Sequence, residues 1–247
     1  MTVDSTAHRP WPIPRQPWVL RMHWHELLFM HWPIDSDAIR PYIPSALTID
    51  TFDSTAWIGV VPFRMSGVAP LLIPPLPFLS AFPELNVRTY VTAEGKPGVW
   101  FFSLDAANPI AVEGARDFFH LNYYTARMRS ESEGDTIHYH STRIHRNAPP
   151  AALVVRYRPT GAVYYSKPGA LDNWLTERYC LYAADRRGSV WRGDIHHAKW
   201  SLQPAEAEIE RNTMTDQIHV NLPDTKPLLH FAQHQEVVAW LPQRVRI

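Results

Sequence analysis

The sequence predicts a β-rich α+β fold. Three observations carry the prediction: many short β-prone runs, only three helix-compatible segments, and no repeat, Gly/Ser-rich linker or charge run that would divide the chain. A length of 247 residues suits one large domain with a substantial core. The expectation is a single domain over residues 1–247, with residues 1–20 as an extended proline-rich lead-in that docks through Trp11 and Trp18.

The elements follow in chain order. Residues 22–32 (MHWHELLFMHW) gather His23, His25, Glu26 and His31. On a regular strand the three histidines share a face by parity, and imidazoles with a carboxylate are metal-ligating types. The helical HExxH arrangement fails, because Phe29 stands where its second histidine belongs. The other reading is a strand filled by amphipathic side chains beside Trp24 and Trp32, and no metal is assigned. Asp35 offers a helix cap, and the helix stops near Pro44. Residues 56–65 (AWIGVVPFRM) read as a largely apolar strand.

Residues 68–82 (VAPLLIPPLPFLSAF) are too short and too proline-broken to span a bilayer as a helix. They are either a loop packed across the core or an apolar lid over a cavity. Residues 86–92 and 99–104, around the turn-like EGKPG, read as a hairpin. Asn108 followed by Pro109 caps a helix that runs to Phe119. Residues 136–144 (TIHYHSTRI) and 153–158 (LVVRYR) form a second, half-exposed pair of strands. Residues 171–182 (LDNWLTERYCLY) have helical spacing, and residues 190–197 and 237–241 add late strands. Adjacent His196 and His197 point to opposite strand faces and cannot easily share one ion.

Composition excludes whole classes. The 24 Lys+Arg cancel 24 Asp+Glu, which argues against a nucleic-acid binder. A single cysteine, Cys180, excludes an internal disulfide and a Cys-clustered zinc site. No glycine-rich phosphate loop and no GxSxG elbow occurs, so nucleotide cofactors and serine hydrolysis are not expected. The N-terminus lacks a basic start followed by an apolar core, so the expected location is cytoplasmic, with no membrane partner.

The most informative stretch is ELNVRTY, residues 84–90. On a strand, Glu84, Asn86, Arg88 and Tyr90 lie on one face and Leu85, Val87 and Thr89 on the other. The polar face is either a cavity floor or an internal Glu–Arg pair. In a cavity, Arg88 would receive a carboxylate and Glu84 would move a proton if burial raises its pKa. Arg116, the pair Tyr123 and Tyr124, and Glu177 with Arg178 are lesser candidates in aromatic settings, where a buried charge needs a partner.

Taken together, RPWPIPRQPWVLRMHWHELLFMHWPID, FPELNVRTYV, GVWFFSLDAANPIAVEGAR and LTERYCLY with IHHAKWSLQPAEA resemble the YqjF-like family, a domain of unknown function. The resemblance implies an acetoacetate decarboxylase-like, cone-shaped antiparallel barrel with a few short helices around a buried cavity. It also implies that the decarboxylases' cavity glutamate falls on Glu84 and a cavity arginine near His25. Their Schiff-base lysine falls near Tyr123 and Tyr124, where no lysine stands between Lys96 and Lys167. Of the 24 basic residues only four are lysines, and arginine cannot form an imine at physiological pH.

The expected site therefore has Glu84, Tyr123 and Tyr124 in catalytic roles, and His25, Asn86, Arg88 and Arg116 holding substrate, without a cofactor. The expected ligand is a small carboxylate or carbonyl compound, and assembly into a homo-oligomer is left open. The reaction would be of lyase or isomerase type on an oxo or hydroxy acid, without an imine. The alternative is a non-catalytic small-molecule binding protein using the same cavity, so enzymatic activity stays open at this level.

Overall fold

The structure, a computed structural model, describes residues 5–75 and 80–246. Residues 76–79, part of the apolar run at 68–82, lie outside it. Among the described residues the strands are β1 (Leu20–Ile34), β2 (Thr48–Ile49), β3 (Ala56–Pro70), β4 (Phe82–Ala93), β5 (Lys96–Ala106), β6 (Tyr123–Glu133) and β7 (Thr136–Arg143). They continue with β8 (Ala152–Pro159), β9 (Cys180–Ala184), β10 (Val190–His197), β11 (Leu202–Asn212), β12 (Leu228–Ala239) and β13 (Gln243–Arg244). The helices are α1 (Ser36–Ile39), α2 (Pro109–Phe119) and α3 (Leu171–Thr176). None is long and apolar enough to cross a membrane.

All strands join one curved sheet in the order β13-β10-β9-β5-β6-β7-β8-β11-β12-β1-β3-β4-β2, with further pairings of β10 with β12 and of β5 with β4. Those extra pairings close the sheet twice. One ring runs β12-β1-β3-β4-β5-β9-β10, and the other returns from β5 to β12 through β6, β7, β8 and β11. Strands β12, β1, β3, β4 and β5 belong to both, so each of their faces meets a closed interior. Runs such as Leu27–Trp32 and Glu84–Val87 are consequently buried at every residue, the signature of a strand covered on two sides.

The two interiors differ. One face of the shared strands packs Leu28, Met30, Val60, Leu85 and Val87 against Tyr139, Val155 and Tyr157 of β7 and β8. The other face, with Leu27, Phe29, Val61, Phe63, Leu104 and Tyr123, surrounds open space. Helix α2 crosses between β5 and β6, whose pairing is parallel, as the crossover that parallel neighbours require. Its cap forms as expected: Asn108 Oδ1 accepts from the backbone N–H groups of Ile110 (3.0 Å) and Ala111 (3.2 Å). Both β6 and β9 run parallel to β5, so the ladder is not purely antiparallel.

The β4–β5 hairpin turns at Glu94 and Gly95, both with positive φ, the pairing a tight two-residue turn demands. Close by, a Cβ added to Gly98 would stand 2.6 Å from Cys180 Sγ, so only glycine lets β9 approach β5 there.

The structure corrects three expectations. The helix expected over residues 171–182 stops at Thr176: Glu177 leaves helical geometry at ψ 69. From Cys180 the chain pairs with β10 and β5 instead, because sheet closure buries an apolar run more fully than one exposed helical turn. The histidine face of β1 is broken at Glu26, whose φ of +55 marks a bulge, and the register with β3 shifts there. His23 and His25 therefore project away from the open interior while His31 turns into it, stacked on Phe29 at 6.1 Å between centroids. Among the described residues no cluster of His, Cys, Asp or Glu suits a metal ion. Finally, β6, β11 and most of β12 form where no strand was expected. In β11, Glu206 and Glu208 meet Arg158 and Arg156 of β8 as exposed cross-strand ion pairs, each contributing about 0–1 kcal/mol.

The lead-in is fastened by polar contacts. Trp11 Nε1 donates to Asp194 Oδ1 at 3.0 Å, Arg9 donates to the Ile195 carbonyl at 2.6 Å, and Trp240 Nε1 donates to the Gln16 carbonyl at 2.7 Å.

Behind the filled interior lies an ion pair shut off from water. Arg143 donates through Nε and Nη2 to the two oxygens of Asp105 at 2.9 and 3.1 Å. Burial raises Asp105 to about 6 despite that partner, so the carboxylate is ionised at neutral pH. Asp105→Asn leaves Arg143 buried without its counter-charge. The expected loss is about 3–5 kcal/mol of unfolding free energy, read from urea denaturation at pH 7.

Candidate functional site

The open interior is a cavity of about 510 Å³, within the roughly 300–1,000 Å³ of sites that hold organic ligands. Its walls are the inward faces of β1, β3, β4, β5, β9 and β10, and α2 lies across it. Most lining side chains are apolar. The polar ones are few and gathered.

Strand β4 supplies three. Alternation on a regular strand brings Glu84, Asn86 and Arg88 to the cavity wall together, which resolves the polar face of ELNVRTY as a cavity floor. The Tyr123 hydroxyl donates to Glu84 Oε2 at 2.8 Å. Glu84 is 2% exposed, and burial, opposed by the Tyr123 hydrogen bond, raises its carboxyl to about 8. At neutral pH Glu84 is an uncharged acid. Its backbone is held from the opposite side: the Tyr139 hydroxyl donates to the Glu84 carbonyl at 2.6 Å and reaches the Phe63 carbonyl at 3.2 Å. Tyr139 arrives from β7 across the filled ring, and nothing local in the sequence marks it as a support for this carboxyl.

Asn86 Oδ1 is buried with no hydrogen-bond partner among the described residues. Arg88 hydrogen-bonds the Tyr90 hydroxyl, which lies 2.6 Å from His31 Nε2. The guanidinium sits 5.2 Å from the Phe29 ring centre, and Arg88 Nε is buried without a partner. Among the described residues no carboxylate forms an ion pair with Arg88. Arg178 reaches the same region from the α3–β9 junction. It lies 4.7 Å from the ring centre of Tyr90 and 4.3 Å from that of Trp174. Nη1 donates to Asp50 Oδ2 at 2.6 Å and Nη2 is buried and unpartnered. Arg178 ranks only as a lesser candidate in the sequence. The signal was an arginine in an aromatic run, but the assumed helix hid its direction. His197, with Nδ1 2.8 Å from the Ala198 carbonyl, and Asp194, paired with Arg192 and Trp11, also line the wall.

Three expected site residues stand elsewhere. Tyr124 neighbours Tyr123 on β6 and so faces away, its ring 4.1 Å from the Arg143 guanidinium carbon. Arg116 is not on the cavity wall: Nη1 donates to the Tyr123 main-chain carbonyl at 2.6 Å, which ties α2 to the residue that touches Glu84. His25, turned outward by the Glu26 bulge, lies 2.7 Å from Ser66 Oγ. Burial lowers it to about 4, so it is neutral at pH 7 and unsuited to hold a carboxylate.

Residues 21–236 match the family described as an uncharacterized conserved protein, domain of unknown function 2071. The chain belongs to that family. It is 47% identical over 228 residues to the uncharacterized protein YqjF of Bacillus subtilis, covering 92% of this chain and 93% of that one. Among solved structures it is similar to the acetoacetate decarboxylase of Legionella pneumophila, with TM-score 0.63 and 11% identity over 97% of this chain and 93% of that one. It is equally similar in fold to the enduracididine biosynthesis enzyme MppR, solved with the condensation product of pyruvate and imidazole 4-carboxaldehyde. There the TM-score is 0.63 at 9% identity, over 93% of this chain and 90% of that one. At such identities the likeness establishes the acetoacetate decarboxylase-like fold and not the chemistry.

The state of Glu84 can be tested without a substrate. A carboxyl whose folded pKa lies near 8, above its ordinary 4.5, destabilises the fold as pH rises between those values and adds no further cost above them. Glu84→Gln keeps the shape of the neutral acid and removes the titration. Its melting temperature should match the unmodified protein near pH 4.5 and exceed it increasingly up to pH 8, by about 2–4 °C per kcal/mol released. Differential scanning calorimetry across pH reads this directly.

Proposed function

We propose that this protein binds an oxo or hydroxy acid in the cavity and carries out a lyase- or isomerase-type reaction on it without an imine. A single observation carries the reading: a neutral carboxylic acid, Glu84, and a guanidinium without an acidic partner, Arg88, share one face of one strand inside one cavity. An unpaired cation in a largely apolar enclosure gains most from an anionic ligand, and a planar fork suits a carboxylate.

In this reading Arg88 holds the substrate carboxylate and Asn86 donates its amide beside it. The substrate carbonyl sits by the Tyr123 hydroxyl. In the lyase case the bond between the carboxylate and the carbon next to the carbonyl breaks, and carbon dioxide leaves. The electron pair of that bond moves onto the carbonyl oxygen, where the Tyr123 hydroxyl, turning from Glu84, stabilises the enolate by hydrogen bonding. Glu84 then gives its proton to the carbon as the enolate collapses to the ketone, and water reprotonates Glu84. Arg116 is a positioning residue, through the Tyr123 backbone. None of the four lysines is on the cavity wall: Lys96 lies 5.5 Å from the Trp11 ring centre, and the others are exposed or half-buried. That placement supports chemistry by proton transfer rather than amine attack.

Turnover of an oxo-acid panel followed by NMR tests the proposal. The expected kcat/KM is flat up to about pH 8 and falls above it as Glu84 loses its proton. Glu84→Gln should lose turnover by about 10²–10⁴-fold, and Arg88→Ala should abolish stabilisation by acids in a thermal-shift assay. Borohydride added with an oxo acid should leave the protein mass unchanged, and a trapped lysine adduct would overturn the reading. Stabilisation by acids with no product across the panel would make the protein a binder rather than an enzyme.

A further inference from the structure

The polar groups occupy only part of the cavity, and their order along β4 gives the ligand a direction. Arg88 and Arg178 both lie near one ring, Tyr90, with guanidinium carbons 5.8 and 4.7 Å from its centre, and form the cationic end. Glu84 with Tyr123 stands four residues back along the strand, about 13 Å by backbone rise. Beyond Glu84, at Phe82 and across to Met65 and Phe63, the wall carries no charged side chain among the described residues. Helix α2 roofs this part with Ala111, Gly114 and Ala115, spaced along one helical face. A Cβ added to Gly114 meets no atom within 4 Å, so the roof leaves room. At the opening, Ile73, Ile110 and Phe118 are 51%, 66% and 72% exposed although all three line the cavity. Apolar surface thus continues from the interior to the rim.

Acetoacetate would fill a small fraction of about 510 Å³ and would leave this apolar half bare. We infer that the ligand is an amphipathic monocarboxylate: a carboxylate head between Arg88 and Arg178, a carbonyl or hydroxyl carbon beside Glu84 and Tyr123, and a bulky apolar tail running past Phe82 under α2 toward the rim. The tail is attached on the far side of the functional carbon from the carboxylate, as in a 3-oxo or 3-hydroxy acid extended at its distal end. Arg178 enters as a second head-group ligand, because its buried, unpartnered Nη2 remains after Asp50 has taken Nη1. This inference rests on the proposed use of Arg88 as the carboxylate anchor and adds the tail and its direction.

Calorimetric titration with butanoate, octanoate and dodecanoate tests it, because these acids carry no carbonyl or hydroxyl at the third carbon and bind without reacting. Affinity should rise about fourfold per methylene over the buried part of the chain, from the transfer free energy of a CH₂ group. Ala115→Phe should cut the ratio of long-chain to short-chain affinity by at least tenfold, and a C12 acid branched at the carboxylate-bearing carbon should bind more weakly than the linear isomer. Affinity independent of chain length in the unmodified protein would overturn the tail. Arg88→Ala without effect on any of the acids would overturn the anchor instead, so the two failures are distinct. Repeating the series in Glu84→Gln should give the same chain-length slope. Loss of the slope there would show that it depends on the Glu84 carboxyl rather than on apolar burial, and would also overturn the inference.

Discussion

Pairing of β4 on both edges, with β3 and with β5, is the constraint from which the rest of the site follows. A strand held on two sides and covered on two faces cannot slip by one residue without moving its whole apolar set to the wrong interior. Leu85, Val87 and Val91 are committed to the filled ring, so Glu84, Asn86 and Arg88 have no choice but the open one. The fold determines the direction of the site before any polar contact is made. Tyr139 reinforces this from behind by bonding the main chain of Glu84, so the carboxyl is placed by the backbone and tuned by the Tyr123 hydroxyl.

Two different electrostatic solutions flank this strand. On the filled side, Asp105 is neutralised by Arg143 in a two-point bond and serves the fold. On the open side, Glu84 has no cation within ion-pair reach among the described residues and keeps its proton instead, while Arg88 has no anion. Separating an acid and a base that could have paired is costly in a dry interior. The separation is understandable where a ligand completes the charge balance, as at functional sites generally. The likeness to acetoacetate decarboxylase and MppR is one of fold, and within that fold a tyrosine, Tyr123, stands against the cavity glutamate of this chain.

Much of this was legible locally. The hairpin of β4 and β5, the capped α2, the short α1, and β7, β8 and β10 follow from turn residues, caps and β-prone runs. Period two in ELNVRTY grouped Glu84, Asn86 and Arg88 because that strand has no bulge within the stretch that faces β3. The same parity misdirected His25, since one residue with positive φ at Glu26 reverses the faces of β1, and a glutamate does not announce a bulge. Tyr123 and Tyr124 were indistinguishable in sequence until pairing with β5 set which faced inward.

Sequence alone therefore determined the β-rich class, the polar face of β4 and the near absence of lysine, because these depend on composition and on contacts between near neighbours. Tertiary structure alone decided the double closure of the sheet, the support of Glu84 by Tyr123 and Tyr139, the entry of Arg178, and the removal of His25, Arg116 and Tyr124 from the wall. Those outcomes depend on residues tens of positions apart, such as Glu84 and Tyr123, meeting across a sheet whose curvature and bulges no local pattern encodes.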